Sequence, residues 1–461
     1  MSSFYEAFLG MPLVFFRLLL YNRTIQTGTF HPSAGKPYCP FPKFLKGVIH
    51  MDKTLRSHAD SIIRAAIRAV QPDEAVKRAL SGRALSGRVV LVAAGKAAWQ
   101  MAKAAHDCLG SRIENGVVVT KYGHVMGPIA NFTCREAGHP IPDENSFSGT
   151  QEALELVSGL TAQDTVLFLL SGGASALFEK PLIPGTELQD ITAQLLACGA
   201  DIVEINTIRK RLSAVKGGKF AQLCAPARVY AIILSDILGD PLDMIASGPA
   251  CPDSTTREQA AAIAEKYRLK LSAPARALLD IETPKVLDNV TSLVTGSVRE
   301  LCAAAADACR ELGYEPVVLT DRLCCQAKEA GSFLASILQT HAGSGRNLAF
   351  LAGGETVVQL TGKGKGGRNQ ELALSAAAGI DGLAGAAVFS VGSDGTDGPT
   401  DAAGGYVDYE TAAAFKARGL SIYRILYNND AYPALQKTDG LIFTGPTGTN
   451  VNDVAVALLH T

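Results

Sequence analysis

Charged and hydroxyl side chains follow several short apolar runs in this sequence, in positions suited to binding an anion. The first is Lys96, which comes after Gly95 at the end of an apolar run and opens a stretch with a helical pattern. A cation at the start of a helix opposes the helix dipole unless an anion lies between them, so this position favours a phosphate or carboxylate ligand. A lysine exposed to solvent is the alternative interpretation.

A second apolar run ends at Ser171, Gly172, Gly173 and Ser175. Adjacent glycines expose backbone N–H groups and the serine hydroxyls add further donors, an arrangement typical of loops that hold phosphate. The sequence contains no G-x-x-x-x-G-K-[ST] pattern, so this loop is not a Walker A motif. We predict that it binds the phosphates of a nucleotide, with an ordinary tight turn as the alternative.

A dense basic cluster lies in a chain whose formal net charge is only −1. It predicts a polyanionic ligand such as a nucleoside triphosphate, and a solvated helix face is the alternative. Within the cluster, we assign Lys216 to the phosphates and Arg209 to the substrate. Its members are Arg209, Lys210, Arg211, Lys216 and Lys219.

Carboxylates follow two other apolar runs. Asp236 comes directly after one of them and is predicted to be the general base or a metal ligand. Asp394 and Asp397 lie among small turn-forming residues after another run. We assign these two to Mg²⁺, which in nucleotide complexes is often held by one or two carboxylates with waters. A plain polar turn is the alternative for this pair.

The most glycine-rich segment spans residues 353–371. It matches the dinucleotide-binding pattern G-x-G-x-x-G once, and a single match is weak evidence. Lysines alternate with its glycines, and Arg368 begins the next helical pattern, where a guanidinium can bind phosphate through two parallel hydrogen bonds. We predict a phosphate-rich ligand, with a flexible loop in solvent as the alternative. The glycines assigned to the phosphates are Gly362, Gly364, Gly366 and Gly367.

Three further residues are assigned to the substrate. Glu355 follows an apolar run and two glycines. Thr447 and Asn450 lie in a hydroxyl-rich segment, residues 444–453, between a predicted strand and a predicted helix. This segment is predicted either to line the same cleft or to cap the helix.

Short apolar runs alternate with helical patterns along the chain, which is typical of sheets covered by helices on both faces. Ligands of such sheets bind beyond the carboxyl ends of the strands, where nearly all of the residues named above lie. We predict an α/β fold of two domains, each a mostly parallel sheet flanked by helices, with the active site in the interdomain cleft. The predicted segments are a poorly ordered extension at 1–50, a Rossmann-like domain at 51–290, a junction at 291–345 and a second α/β domain at 346–461.

Length and composition limit the class of protein. A chain of 461 residues with 47% hydrophobic and 19% charged residues can form large cores. Its near-neutral charge predicts no general attraction to nucleic acid or anionic lipid. The apolar run at residues 8–21 is shorter than the roughly 20 residues of a membrane-spanning helix and is interrupted by Arg17. The cysteines form no zinc-binding pattern. We expect a cytoplasmic monomer or homodimer that acts on a small molecule.

Taken in order, the motifs resemble the glycerate 2-kinases whose C-terminal part is called the MOFRL domain. The resemblance covers about residues 51–461. It rests on Ala94-Gly-Lys-Ala, Gly138-His-Pro-Ile-Pro-Asp, Ser171-Gly-Gly-Ala-Ser-Ala-Leu, the basic cluster through Lys216-Gly-Gly, Leu234-Ser-Asp, Ala246-Ser-Gly-Pro, Gly353-Gly-Glu-Thr, Gly366-Gly-Arg-Asn-Gln-Glu, Asp394 through Asp401, and Thr444-Gly-Pro-Thr-Gly-Thr-Asn.

This resemblance implies transfer of the γ-phosphoryl group of ATP to D-glycerate, giving 2-phosphoglycerate and ADP with Mg²⁺. It also implies two α/β domains around a cleft, and it maps the family's essential lysine and arginine onto Lys96 and Arg368. For phosphoryl transfer, we predict that these two cations stabilise charge on the moving group and that Asp236 orients the glycerate hydroxyl. Asp394 or Asp397 would hold Mg²⁺.

The sequence departs from the family pattern at two places. Gly296-Ser297-Val298 stands where the family usually has Gly-Ser-Asn, and Cys325-Gln326-Ala327 stands where it has Gly-Glu-Ala. Without the polar side chain of the family pattern, either place would alter substrate preference or domain closure.

Two other functions are weighed against the kinase. An NAD(P)H-dependent hydroxypyruvate reductase is a label that chains resembling this one also carry. The G-x-G-x-x-G match supports it weakly, and the sequence lacks a clear acidic ligand for the ribose. A non-catalytic sensor of hydroxy acids or nucleotides would bind ligands without turnover.

Overall fold

Two six-stranded sheets form the framework of residues 52–461, the part of the chain that the computed structural model describes. The predicted extension at 1–50 lies outside the described residues. The first six strands make one sheet and the last six make the other. They are β1 (Val89–Ala94), β2 (Ile113–Lys121), β3 (Phe132–Ala137), β4 (Thr165–Leu170), β5 (Arg228–Leu234), β6 (Val290–Gly296), β7 (Glu315–Leu323), β8 (Leu348–Gly354), β9 (Ala386–Gly392), β10 (Gly404–Asp408), β11 (Leu441–Ile442) and β12 (Asp453–Leu459).

Helices connect the strands and cover both sheets. None of the helices in the described part of the chain is long and apolar enough to cross a membrane. The α-helices are α1 (Lys53–Ala69), α2 (Pro72–Leu80), α3 (Ala98–Leu109), α4 (Glu144–Val157), α5 (Ala174–Leu177), α6 (Gly185–Ala197), α7 (Ile202–Leu212), α8 (Lys219–Cys224), α9 (Arg257–Lys266), α10 (Ala273–Leu279), α11 (Val298–Glu311), α12 (Ala327–His341), α13 (Arg368–Gly379), α14 (Thr411–Ala417), α15 (Ile422–Tyr427) and α16 (Ala431–Gln436).

All neighbouring strands of the first sheet are parallel, in the order β3-β2-β1-β4-β5-β6. Strands β1 and β4 are buried along their whole length, which accounts for their continuously apolar sequences. The strand order reverses between these two strands. In open sheets of this kind, ligands bind at the carboxyl ends of the strands beside such a reversal.

The second sheet differs from the expectation of a mostly parallel sheet. Its order is β11-β10-β9-β12-β8-β7, in which β7 and β8 are parallel and the other neighbouring pairs are antiparallel. Strands β8 and β9 run in the same direction, as their connecting helix predicts, but β12 inserts between them in the opposite direction. A helix was predicted after residue 453. The apolar run there is instead this strand, because a short buried run does not distinguish a strand from a helix.

Helix α1 packs on the second sheet, although it precedes the first sheet in the sequence. Its buried side chains, among them Leu55 and Ile62, share a core with α11, β8 and β9. Val298, at one of the two departures from the family pattern, is 3% exposed in this core. The division of the chain at 51–290, 291–345 and 346–461 stays a prediction.

Candidate active site

The loops after β1 and β4 meet where the strand order of the first sheet reverses. The Lys96 N–H donates to the Gly172 carbonyl at 2.9 Å, and the Ala97 N–H donates to the Ser171 hydroxyl at 3.1 Å. The Ser171 N–H donates in turn to the Ala94 carbonyl at 3.0 Å. These bonds hold two loops that were predicted from separate motifs side by side.

A cavity of about 390 Å³ opens at these loops and extends to the second sheet. We call it the strand-end cavity. Lys96, Ser171 and Gly172 line it from the first sheet, and Asp394 and Asn450 line it from the loops that follow β9 and β11. Residues predicted from four separate motifs therefore surround one cavity.

Two glycines allow polar side chains to approach the turn after β4. A Cβ atom at Gly172 would collide with the Asp236 carboxylate, and a Cβ atom at Gly173 would lie 2.9 Å from the His139 ring. Gly173 also has a φ of +86°, which residues with a side chain rarely adopt. The turn thus needs glycine for close approach and for backbone conformation. Its lack of side chains brings Asp236 and His139 next to Lys96.

The Asp236 carboxyl follows β5 and lies close to charges from both sheets. Burial raises its pKa above the ordinary aspartate value; Lys96 lowers the pKa, and Glu355 of the second sheet raises it. The net shift is upward, so the carboxylate is a stronger base than an exposed aspartate. This suits a group that accepts a proton from a hydroxyl.

Two histidines at this site are not among the residues predicted from the sequence. His139 lies against Gly173, and burial followed by the positive charge of Lys96 lowers the pKa of its imidazole. His124 lines the strand-end cavity, and its Nδ1 is 2.9 Å from the Lys96 carbonyl oxygen. Their positions in the sequence could have indicated this site. His139 follows β3 and His124 follows β2, and the carboxyl ends of these parallel strands lie at the same edge of the sheet.

Arg368 begins α13 and is held by two carboxylates. Its Nε and Nη2 donate to the two oxygens of Asp453 at 2.5 and 3.0 Å, and its Nη1 donates to Glu355 at 2.8 Å. A planar guanidinium is suited to this two-point contact with a carboxylate. The side chain of Arg368 stays 33% exposed, so part of it remains open to a ligand.

Asp453, the first residue of β12, is likewise not among the residues predicted from the sequence. Its side chain is 8% exposed, and burial raises its pKa although the Arg368 hydrogen bond lowers it. For Arg368, burial acts to lower the pKa, but the bonds to Asp453 prevail and the pKa is raised. The pair therefore keeps the guanidinium charged and fixed in direction. The signal in the sequence was a single carboxylate at the start of an apolar run.

The basic cluster at 209–219 is a buried network, which contradicts its prediction as a surface for a polyanion. Lys210, Arg211 and Lys216 are at most 1% exposed. Lys210 Nζ, for example, donates to Asp253 Oδ1 at 2.9 Å, a partner 43 residues away in the sequence. The sequence shows how many cations are present, whereas their carboxylate partners are brought to them only by folding.

Lys216 and Arg209 contact the backbone that follows the glycine turn. Lys216 Nζ donates to the carbonyls of Ser175 at 2.8 Å and Phe178 at 3.2 Å, and Arg209 Nη2 donates to Ser175 at 3.0 Å. The buried carboxylate of Glu179 lies 3.5 and 3.6 Å from the two cations. Together they hold the short helix α5. Because Lys216 is fully buried, it does not contact a phosphate. The Ser175 carbonyl accepts hydrogen bonds from both cations.

Replacing Lys216 with methionine is expected to lower the free energy of unfolding by about 3 kcal/mol and kcat by about tenfold. The reason is that Glu179 loses a partner and α5 loses an anchor. Lys219→Met is the matched control, because Lys219 Nζ also binds backbone carbonyls, at the end of α7, but not those of α5. We expect it to lower only the melting temperature. Equal kcat values for the two variants would contradict the positioning role.

The two carboxylates assigned to Mg²⁺ have different surroundings. Asp394 lines the strand-end cavity. Asp397 is 2% exposed, and its oxygens accept from the N–H groups of Asn369 and Gln370 at 3.1 and 2.9 Å, in the first turn of α13. Burial raises the pKa of Asp397 to about 7 in spite of these bonds. Asp397 therefore caps a helix, contrary to its assignment, and Asp394 is left as the metal candidate. Residues 52–461 contain no group of three or more His, Cys, Asp or Glu side chains placed so that they could hold a metal ion.

The glycine-rich loop at 362–367 is closed by hydrogen bonds within the protein. The Gly362 N–H donates to Asn429 Oδ1 at 2.9 Å, and the Gly364 N–H donates to the Asn428 carbonyl at 2.8 Å. These donors are used, so the prediction that they hold phosphate is not supported by the contacts. The pyrophosphate of a dinucleotide also needs free backbone N–H donors. Because the Gly362 and Gly364 N–H groups are already used, the G-x-G-x-x-G match does not support the reductase.

The remaining predicted residues lie outside the strand-end cavity. Glu355 and Arg368 line a second cavity of about 740 Å³ together with the glycine-rich loop, including Gly366 and Gly367. We call it the glycine-loop cavity. Thr447 does not line either of these cavities; its hydroxyl donates to the Ser393 carbonyl at 2.6 Å and so supports the loop that carries Asn450.

Comparisons with known proteins agree with this architecture. A model described as a domain of unknown function, DUF4147, matches residues 58–280, and the MOFRL family model matches residues 348–453. A D-glycerate 2-kinase from Thermotoga maritima is 52% identical over 413 residues, covering 88% of this chain and 99% of the relative. A glycerate 2-kinase from Pyrococcus horikoshii is 41% identical over 427 residues, covering 86% of this chain and 96% of the relative.

A solved structure gives the same result. The crystal structure of a glycerate kinase from Thermotoga maritima matches with a TM-score of 0.86 and 52% identity, covering 88% of this chain and 100% of that one. The α/β fold with two sheets flanked by helices is thereby confirmed. On these matches over nearly the full length of its relatives, the chain belongs to the glycerate 2-kinase family that joins a DUF4147 domain to a MOFRL domain.

Proposed function

We propose that this protein transfers the γ-phosphoryl group of ATP to the 2-hydroxyl of D-glycerate and releases ADP. The observation that carries the proposal is the strand-end cavity, where Lys96 and the glycine turn of the first sheet face Asp394 and Asn450 of the second. The kinase names of the Thermotoga and Pyrococcus relatives support the choice of substrate.

Phosphoryl transfer depends on positioning the reactants and neutralising charge on the transferred group. Lys96 provides a cation on a flexible side chain at the carboxyl end of β1, where it lines the strand-end cavity. Arg368 offers a second cation whose direction is set by Asp453. We assign both to the phosphoryl group during its transfer, with Ser171 and Gly172 as hydrogen-bond donors beside it.

Asp236 is the proposed acceptor of the proton from the glycerate hydroxyl. Burial raises its pKa, so it takes up a proton at a higher pH than an exposed aspartate and then no longer acts as a base. We therefore expect kcat/KM to fall as the pH is lowered, with a midpoint above about 4, the ordinary aspartate value.

Asp236→Asn should lower kcat about 100-fold and remove this acidic limb. Asp288→Asn is the control. Asp288 is exposed and precedes β6, so it lies at the edge of the first sheet opposite to the edge that carries Asp236. An unchanged acidic limb in Asp236→Asn would assign the titration to another group.

Mg²⁺ fits the donor set at this cavity. Asp394 supplies a hard carboxylate oxygen, and magnesium bound with a nucleotide needs only one or two carboxylates beside phosphate oxygens and water. When bound, the ion neutralises phosphate charge. Asp394 is the residue that we propose to hold it.

The test measures ADP release from ATP and Mg²⁺ with D-glycerate, and then adds enolase alone to the product. A product that enolase converts directly supports phosphorylation of the 2-hydroxyl. ADP release with a product that enolase ignores would move the reaction to the 3-hydroxyl. No ADP release with glycerate would overturn the kinase and favour a sensor that only binds.

A further inference from the structure

Aliphatic side chains form part of the wall of the glycine-loop cavity. They include Leu238, Val358, Leu360 and Pro399, around a volume of about 740 Å³. Leu360 is 81% exposed, and Val357 at the same cavity is 55% exposed. Aliphatic side chains grouped at a cavity favour a flat or apolar part of a ligand, because covering them removes apolar surface from water.

Polar groups buried beside these walls include a hydroxyl without a partner. Thr356 lines the cavity and is 5% exposed, and no group within residues 52–461 hydrogen-bonds with its Oγ1. Glu371 is 4% exposed, and one of its oxygens accepts from Asn429 Nδ2 at 3.2 Å. A buried polar group without a partner is unfavourable, so a ligand that supplies hydrogen bonds here gains affinity.

Two cations also line the same cavity. They are Arg368 and Lys363, and the nearby carboxylate of Glu355 is already paired with Arg368 Nη1 at 2.8 Å. The cavity therefore combines aliphatic side chains, buried hydrogen-bonding groups and two cationic side chains. A nucleotide has three parts that complement these features: the apolar faces of its base, the polar edge of the base and its phosphates.

At Gly362 and Gly364, the glycine-rich loop contributes shape to this cavity and not phosphate donors. Its Gly362 and Gly364 N–H groups are used by Asn429 and Asn428. A Cβ atom at Gly362 or Gly364 would collide with the Asn428 backbone, so glycine is needed for packing. These contacts therefore argue against the prediction that the Gly362 and Gly364 N–H groups bind phosphate.

We propose that the glycine-loop cavity binds the adenine base of the nucleotide, with the phosphates directed past Arg368 toward Lys96. This inference rests on the proposed kinase function and names the nucleotide subsite within it. The aliphatic walls cover the faces of the ring. The Glu371 carboxyl accepts a hydrogen bond from the exocyclic amino group, and guanine is disfavoured because it presents an acceptor there.

Leu360→Ser tests the aliphatic wall with a substitution at an exposed position. We expect the KM for ATP and the Kd for ADP, measured by equilibrium dialysis, to rise about tenfold, with the KM for D-glycerate unchanged. Inhibition by inorganic tripolyphosphate, which has no base, should stay the same. Leu196→Ser is the matched control, because Leu196 is 64% exposed and lines neither cavity.

Glu371→Gln tests recognition of the base edge while keeping the size of the side chain. We expect the preference for ATP over GTP to fall about tenfold, since an amide offers both a donor and an acceptor. An unchanged preference would remove Glu371 from base recognition and overturn that part of the proposal.

The outcomes separate this inference from the proposed function. Weaker ADP binding in Leu360→Ser, without glycerate phosphorylation by the unaltered protein, would keep the subsite and overturn the kinase. Normal ADP binding and a normal KM for ATP in folded Leu360→Ser would overturn the subsite and leave the kinase in place. A rise in the tripolyphosphate inhibition constant equal to that for ADP would also overturn the subsite.

Discussion

Lys96→Met is expected to lower kcat by at least about 100-fold while leaving the melting temperature nearly unchanged. Lys96 lines the strand-end cavity, and its position in the loop depends on its backbone bond to Gly172, which methionine preserves. The substitution therefore removes the charge and keeps the stem. The measurement is steady-state ADP release with saturating D-glycerate, together with thermal unfolding of both proteins.

Lys103→Met is the control for this prediction. Lys103 lies on α3, the helix that follows Lys96, and its Nζ binds Asp107 at 2.6 Å in solvent. Its loss should change neither kcat nor the melting temperature to a large extent. Near-normal turnover by Lys96→Met would refute the assignment of this lysine to the transferred phosphoryl group.

Arg368→Lys is expected to lower kcat by about 1000-fold and also to destabilise the protein by about 2 kcal/mol. Lysine keeps the charge but cannot make the two parallel hydrogen bonds to Asp453 or reach Glu355 at the same time. The buried Asp453 carboxylate is then left poorly paired. Steady-state kinetics and thermal unfolding report the two effects separately.

A double variant separates the structural role of Arg368 from its role in turnover. Arg368→Met combined with Asp453→Asn removes both charges of the buried pair, so stability should recover most of what Arg368→Met alone loses. Activity should stay at the level of the single variant. Recovery of activity with stability would show that Arg368 acts only through folding. Arg346→Lys, in the exposed pair with Glu315, serves as a control for a surface arginine.

The strand-end residues were predicted because one rule of geometry applies to every parallel strand. Lys96, Ser171 and Asp236 each follow a short apolar run, and parallel strands end at one edge of the sheet. Their positions in the sequence were therefore enough to predict that they lie close together. The same rule would have included His124 and His139, which also follow strands of this sheet.

The roles of other charged residues depended on partners that are distant in the sequence. The 209–219 cluster has the composition of an anion site, yet Lys216 and Lys210 are buried against Glu179 and Asp253. Asp397 was assigned to a metal, and the fold instead places it at the first turn of α13. A charged side chain looks the same in sequence whether it meets solvent, a ligand or a buried counter-charge.

By itself, the sequence of this protein determined the α/β class, the positions of most strands and the cluster of candidate residues at the ends of the first sheet. These depend on local periodicity and on a topology that follows from it. Only the tertiary structure decided that β12 inserts antiparallel between β8 and β9, which brings Asp453 to Arg368. It also decided that the glycine-rich loop packs on Asn428 and Asn429. The physical reason is that strand direction, burial and ion pairing are set by contacts between segments far apart in the chain.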